Sequence, residues 1–152
     1  MSQASKDFQG DPVVARILVV DDDKAVRLLL RAVLERRGHS VVEAENGDEG
    51  LRYYRAEPAD LVIVDIQMPV MDGLQMIKEL RGDSPTAKII AISGEKGGLI
   101  AAQPLSQGTF EKPLYMAEFL DAVQKFASAP GTSIYMLQPS TLAVTDSVQG
   151  DA

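Results

Sequence analysis

The chain has 152 residues and contains no cysteine, which excludes a disulfide framework and a thiolate metal site. No apolar stretch approaches the roughly 20 residues that cross a bilayer, so membrane insertion is not expected. The first twelve residues are polar and mixed in charge, without the apolar core of a secretory signal, so a soluble cytoplasmic protein is the expected setting. Positive charge is in short supply: 15 Lys and Arg against 22 Asp and Glu give a formal charge of −7. That balance disfavours nucleic acid as a partner, because a basic patch supplies most of such affinity. The single histidine, His39, follows Gly38 at a helix–strand junction, and with no evident partner it reads as a surface residue.

The apolar fraction of 45% is enough for a core, and the length suits one domain with short tails. Several short apolar runs end in polar residues. Ile17-Leu18-Val19-Val20 leads into Asp21-Asp22-Asp23, Leu61-Val62-Ile63-Val64 into Asp65, and Ile89-Ile90-Ala91-Ile92 into Ser93-Gly94. Gly108-Thr109-Phe110-Glu111 is followed by Lys112 and Pro113. Runs of this kind read as strands buried on both faces, as in parallel sheets. Polar groups directly after them emerge at the carboxyl edge, where open α/β sheets bind ligands.

Between the runs lie helical patterns. Val26, Leu29, Leu30, Val33 and Leu34 are spaced for a helix closed by Arg36-Arg37-Gly38. Ser40 to Glu43 reads as a short second strand, and Asn46 as the cap of a helix reaching about Ala56. Leu74, Ile77 and Leu80 mark a third helix stopped by Gly82 and Pro85. Phe119, Leu120, Val123 and Phe126 mark the last one. The segment 94–108 carries Gly97-Gly98 and Pro104, so the fourth helix should be short or distorted. Alternating β and α units imply a parallel sheet covered on both faces.

The order of acidic cluster, Asp, Ser and Lys at successive strand ends, with Met68-Pro69-Val70-Met71-Asp72-Gly73 after Asp65, resembles the receiver domain of bacterial response regulators. The likeness covers about residues 16–127. It implies a flavodoxin-like (βα)5 doubly wound parallel sheet of order 2-1-3-4-5, with residues 15–128 as the receiver, 1–14 as a flexible N-terminal segment and 129–152 as a flexible tail. It implies that Asp65 is the phosphoacceptor and that Lys112 and Ser93 hold the phosphoryl oxygens. It also implies a Mg²⁺ site, in which Mn²⁺ would substitute. Asp22, Asp65 and the Gln67 backbone carbonyl are the expected ligands, and Asp21 acts through water and through its charge. Gly94 would leave the approach open, while Gln67 and Glu95 flank the path of a hydrolytic water. The implied partners are a histidine kinase or histidine phosphotransfer protein and a downstream protein, as for a single-domain, chemotaxis-type regulator. Such a receiver catalyses only its own phosphorylation and dephosphorylation.

The chain departs from this family at Thr109, three residues before Lys112, where receivers usually carry an aromatic switch residue. Phe110 lies one place later, so either it takes over or the usual coupling is absent. Two other readings stand beside this one. A degenerate receiver would serve only as a protein-interaction module. Asp21-Asp22-Asp23 also matches the first motif of haloacid-dehalogenase-like phosphatases. Ala25 and the lack of an acidic pair after Lys112 speak against the phosphatase.

Overall fold

The computed structural model describes residues 14–68 and 70–128. The readings of the N-terminal segment, apart from Val14, and of the 129–152 tail lie outside the described residues. Five strands form one parallel sheet in the order β2-β1-β3-β4-β5. They are β1 (Arg16–Val20), β2 (Ser40–Ala44), β3 (Leu61–Asp65), β4 (Ile89–Ser93) and β5 (Gly108–Glu111). The helices are α1 (Lys24–Arg36), α2 (Gly47–Ala56), α3 (Gly73–Asp83), α4 (Lys96–Ala102) and α5 (Met116–Ser128). No helix among the described residues is long and apolar enough to cross a membrane.

Each apolar run splits by the two-residue period of a strand into two cores. Ile17, Val19, Leu61, Ile63, Ile90 and Ile92 pack with Leu30 and Leu34 of α1 and with Phe119 and Val123 of α5. Leu18, Val20, Val62, Val64, Ile89 and Ala91 face Leu51, Met76, Ile77, Leu80 and Leu99 of α2, α3 and α4. Because β3 and β4 are buried throughout, their polar ends are delivered to the carboxyl edge with little freedom of position.

Caps fix where α1, α2 and α3 begin. Asp23 accepts hydrogen bonds from the amides of Ala25 and Val26, Asn46 from that of Glu49, and Asp72 from that of Gln75. Glu49 reaches back to the Glu45 amide at 2.8 Å, so α2 is closed from both directions. The cap residue Glu95 of α4 makes no such bond, and α4 is only seven residues before it tightens into a 3₁₀ turn over Gln103–Leu105. Two glycines, no side-chain cap and the Pro104 ring account for that brevity. α3 runs through Gly82 and ends at Asp83, with Ser84 bonding back to the Leu80 carbonyl.

Two readings of the sequence, of Leu29 and of His39, are corrected by the packing. Leu29 is 52% exposed, and the inward position one turn before Leu30 belongs to Arg27, which is 8% exposed. Arg81 is buried at the end of α3, where it donates to the carbonyls of Pro85, Ala87 and Leu105 at 2.7–2.9 Å. It thereby ties the loop before β4 to the 3₁₀ turn. His39 is buried, not superficial, and its Nδ1 accepts the Ala15 amide at 3.1 Å.

Burial, reinforced by the Arg37 charge, lowers the His39 pKa from its ordinary 6.5, so the neutral ring is favoured in the fold. The contribution is fully present above 6.5 and is lost as pH falls through the lowered folded-state value. As pH falls below 6.5, wild-type stability should therefore drop more steeply than that of His39→Asn, whose carbonyl can accept the same amide. Equal slopes in urea denaturation over that range would refute this.

Val70 has a φ of 71°, a left-handed conformation that a β-branched side chain adopts at a cost of roughly 1–2 kcal/mol. Its side chain is 84% exposed and gains little packing in return. Val70→Asn is expected to stabilise the fold by about 1 kcal/mol in denaturant titrations. Unchanged or lower stability would show that the strain is relieved elsewhere.

Candidate functional site

β1 and β3 are hydrogen-bonded neighbours at the point where the strand order reverses, so their carboxyl ends open side by side. Asp21 follows β1 and Asp65 ends β3, and with Asp22 their carboxylate oxygens lie within 4.8 Å of one another. Asp21 is completely buried and Asp65 is 4% exposed, whereas Asp22 is open to solvent. Asp23 is turned away to cap α1, and its amide donates to Asp21 Oδ1 at 2.9 Å.

Lys112 arrives from the far side of the sheet. Its backbone amide donates to the Ser93 carbonyl at 2.8 Å, continuing the β4–β5 ladder by one residue. That bond aims the side chain across the edge, where Nζ lies 3.1 Å from Asp65 Oδ2 and 3.3 Å from Asp21 Oδ2. Burial alone would lower the Lys112 ammonium, but the Asp21 charge and the bond to Asp65 outweigh it and hold it above its ordinary value. Asp21 is raised, by burial first and by the Asp65 charge in support, against the Asp23 amide and Lys112.

Ser93 is buried beside the site, its Oγ accepting the Glu95 amide at 3.0 Å. The Gln67 amide donates to Asp65 Oδ1 at 3.1 Å, which orients the carboxylate. Gly94 is exposed, and a Cβ there would meet only Gln67 Oε1, at an ordinary 3.9 Å, so there is room on that side. Thr109 is half-buried and helps line a cavity of about 240 Å³ with Lys96, Leu99, Ile100, Gln103 and Glu111. Phe110 points to the opposite face of β5 and packs edge-on against Phe119, with centroids 5.5 Å apart. Thr109 and Phe110 are thus on opposite sides of the sheet, and the aromatic ring is away from the cavity.

The donor set suits a hard divalent cation. Three carboxylates are brought together, one of them exposed for exchange, and Lys112 offsets only part of their charge. Two residues that the sequence reading passed over also belong to the setting. Arg27 donates to the Asp21 backbone carbonyl at 2.8 Å, and Glu43 holds Arg27 at 3.1 Å. Their pairing between α1 and β2 leaves no local sequence signal beyond a charged residue on an otherwise apolar helix face.

A parallel sheet with its switch point at an acidic pocket, bridged by a lysine from the last strand, defines a receiver module. The chain belongs to the response regulator receiver domain family, whose model matches residues 17–124. It is 37% identical to the chemotaxis protein CheY of Bacillus subtilis over 114 residues, 72% of this chain and 95% of that protein. It is 35% identical over 99 residues to the autoinducer 1 sensor kinase/phosphatase LuxN of Vibrio campbellii, covering 64% of this chain. The chain spans only 12% of the length of LuxN. Among solved structures it is similar to the response regulator TrrA of Thermotoga maritima in complex with Mg²⁺-BeF, with a TM-score of 0.68 and 34% identity. That match covers 73% of this chain and 97% of TrrA.

As a receiver, the module belongs to two-component phosphorelay signalling, and receivers of this family bind Mg²⁺ in their acidic pocket. Against this background the phosphatase reading of Asp21 is set aside. Asp21 is enclosed, bonded to Lys112 and to the Asp23 amide, and is not presented to an incoming ester.

Proposed function

We propose that Asp65 accepts a phosphoryl group from a phosphohistidine donor, a histidine kinase or a histidine phosphotransfer protein, and that this changes affinity for a downstream protein. The observation that carries the reading is the convergence of Asp21, Asp22 and Asp65, with Lys112 bridging the first and last of them. An Asp65 carboxylate oxygen forms the new bond to phosphorus. The bond from phosphorus to the donor imidazole breaks, and its electron pair returns to the ring nitrogen.

Asp22, Asp65 and the Gln67 backbone carbonyl would hold Mg²⁺ directly, Asp21 would hold it through water, and Mn²⁺ would substitute. The bound cation supplies positive charge to the phosphoryl oxygens as they spread their own in the transition state. Lys112 exchanges its contact with Asp65 for a phosphoryl oxygen, and the Ser93 hydroxyl gives up the Glu95 amide to meet another. The Gln67 amide keeps the Asp65 carboxylate oriented for attack. With Gly94 between them, the Gln67 and Glu95 side chains govern how water reaches the phosphorylated aspartate.

Displacement of Ser93 loosens the start of α4, the helix without a side-chain cap, and the response runs through 95–108. With Thr109 in place of an aromatic switch residue and Phe110 held in the opposite core, the signal passes through α4 rather than through a rotating ring.

Incubation with acetyl phosphate and Mg²⁺ should add one phosphate mass to the wild type. Asp65→Asn should show none, and EDTA should abolish the gain. A gain retained in Asp65→Asn would displace Asp65 as acceptor. No gain in the wild type, together with no response to beryllofluoride, would leave a phosphorylation-independent interaction module.

A further inference from the structure

Arg27 is the one buried cation on α1, and one of its hydrogen bonds leads into the acidic pocket. Nη1 donates to the Asp21 carbonyl at 2.8 Å and Nε to Glu43 Oε1 at 3.1 Å. The other Glu43 oxygen accepts from Arg31 Nη1 at 2.8 Å, and Arg31 Nε in turn meets Glu35 at 3.0 Å. A chain of four charges therefore runs from the main chain of the pocket to the exposed flank of α1. Its inner end is 8% exposed, where a guanidinium persists only with its bonds satisfied.

The carbonyl that Arg27 holds belongs to the peptide unit joining Asp21 to Asp22. The Asp21 amide is held from the other side by the Ala44 carbonyl at 3.1 Å. Between these two anchors the peptide planes on both sides of Asp21 are fixed, and with them the direction in which the exposed Asp22 carboxylate leaves the backbone. Among the described residues, Asp22 itself has no side-chain partner to orient it. We propose that Arg27, steadied by Glu43, is a positioning residue for the cation site: it sets the peptide plane from which Asp22 reaches the metal. This inference rests on the receiver reading above, in which Asp22 is a metal ligand.

The sign of the effect separates positioning from simple electrostatics. Removing a positive charge beside three carboxylates should by itself strengthen binding of a cation. Loss of a held peptide plane should weaken it, because the ligand must then be ordered on binding. It also separates positioning from a merely structural role. Removing one partner of a buried ion pair costs stability, but Glu43 keeps Arg31 at 2.8 Å, so Arg27→Met should stay folded and its Mg²⁺ affinity can be read apart from its stability.

The experiment is a Mg²⁺ titration by calorimetry on the metal-free wild type, Arg27→Met, Arg27→Lys and Glu43→Gln, with urea denaturation of each. Arg27→Met is expected to bind Mg²⁺ about tenfold more weakly while remaining folded. Arg27→Lys, which keeps the charge but cannot serve both acceptors with a fixed fork, should also bind more weakly. Glu43→Gln should shift in the same direction by less. Amide shifts of Asp22 and Asp23 should move in metal-free Arg27→Lys as well. Unchanged or tighter Mg²⁺ binding in folded Arg27→Met overturns the proposal. If Arg27→Met does not fold, wild-type affinity in Arg27→Lys and Glu43→Gln overturns it equally. A wild type that fails to bind Mg²⁺ at all removes the receiver reading and this inference with it.

Discussion

Replacing Lys112 with Met should make the metal-free protein less stable and its hold on Mg²⁺ tighter, while slowing phosphorylation. The three effects share one cause. The ammonium stands 3.1 Å from Asp65 and 3.3 Å from Asp21, and Asp21 is completely enclosed. Without it the two carboxylates face one another, and the cost is roughly 1–3 kcal/mol. The Lys112 side chain is 27% exposed and Asp21 can take up a proton, so the loss stays below that of a fully enclosed pair.

Mg²⁺ then meets carboxylates with no ammonium competing for them, and its affinity should rise about tenfold, or about 1.4 kcal/mol. The phosphoryl oxygens lose their lysine, so transfer from acetyl phosphate should slow by about two orders of magnitude even with the metal saturating. Calorimetry for the metal and an intact-mass time course for transfer would separate these effects. A variant in which Mg²⁺ affinity falls along with stability would contradict the competition of two cations for one pair of acids.

The other large effect is expected at Gly73. A Cβ on this first residue of α3 would clash with the Asp65 carbonyl oxygen and lie 2.7 Å from Ile66 Cα. Both neighbours are backbone, and neither can rotate away. The Gly73 amide also donates to the Ile66 carbonyl at 2.9 Å, so the helix start is drawn against the end of β3. Gly73→Ala must push the two apart, at about 3 kcal/mol or more. Whatever folds should carry a displaced Asp65 and be phosphorylated poorly. Gly82→Ala is the control, since nothing lies within 4 Å of a Cβ there. It should be neutral or stabilising by up to about 1 kcal/mol, as expected for Ala within a helix. Equal denaturation midpoints for the two variants would refute the close-approach account.

The sheet was legible because its strands are buried on both faces, so apolar residues run without alternation up to the polar edge. The start of α2 was legible because Asn46 acts within three residues of itself. The acidic pocket was legible only as an ordered set, each member at a strand end and none distinctive alone. What escaped was burial of charge. Arg27, Arg81 and His39 are enclosed because backbone carbonyls or a backbone amide, and for Arg27 also Glu43, meet them across the fold. Those partners lie from 4 to 24 residues away along the chain, and no local pattern announces them. Leu29 was assigned inward by spacing, yet the inward face of α1 was shared with an arginine whose partner is on β2. The Thr109 departure was visible as a missing ring, but the direction of Phe110 follows from strand parity, fixed by its register opposite Ile92.

The ion pair of Lys112 with Asp21 joins residues 91 positions apart. A ribosome therefore releases the acidic cluster and Asp65 long before the lysine that steadies them. Until the fifth strand has emerged and docked, a nascent or truncated chain carries the carboxylates without their resident cation. On the proposed reading, competence to accept phosphate waits for the fifth strand to dock, and a fragment ending short of residue 112 would be a poor acceptor as well as a poor fold. The pocket acts as its own certificate that the fifth strand is in place.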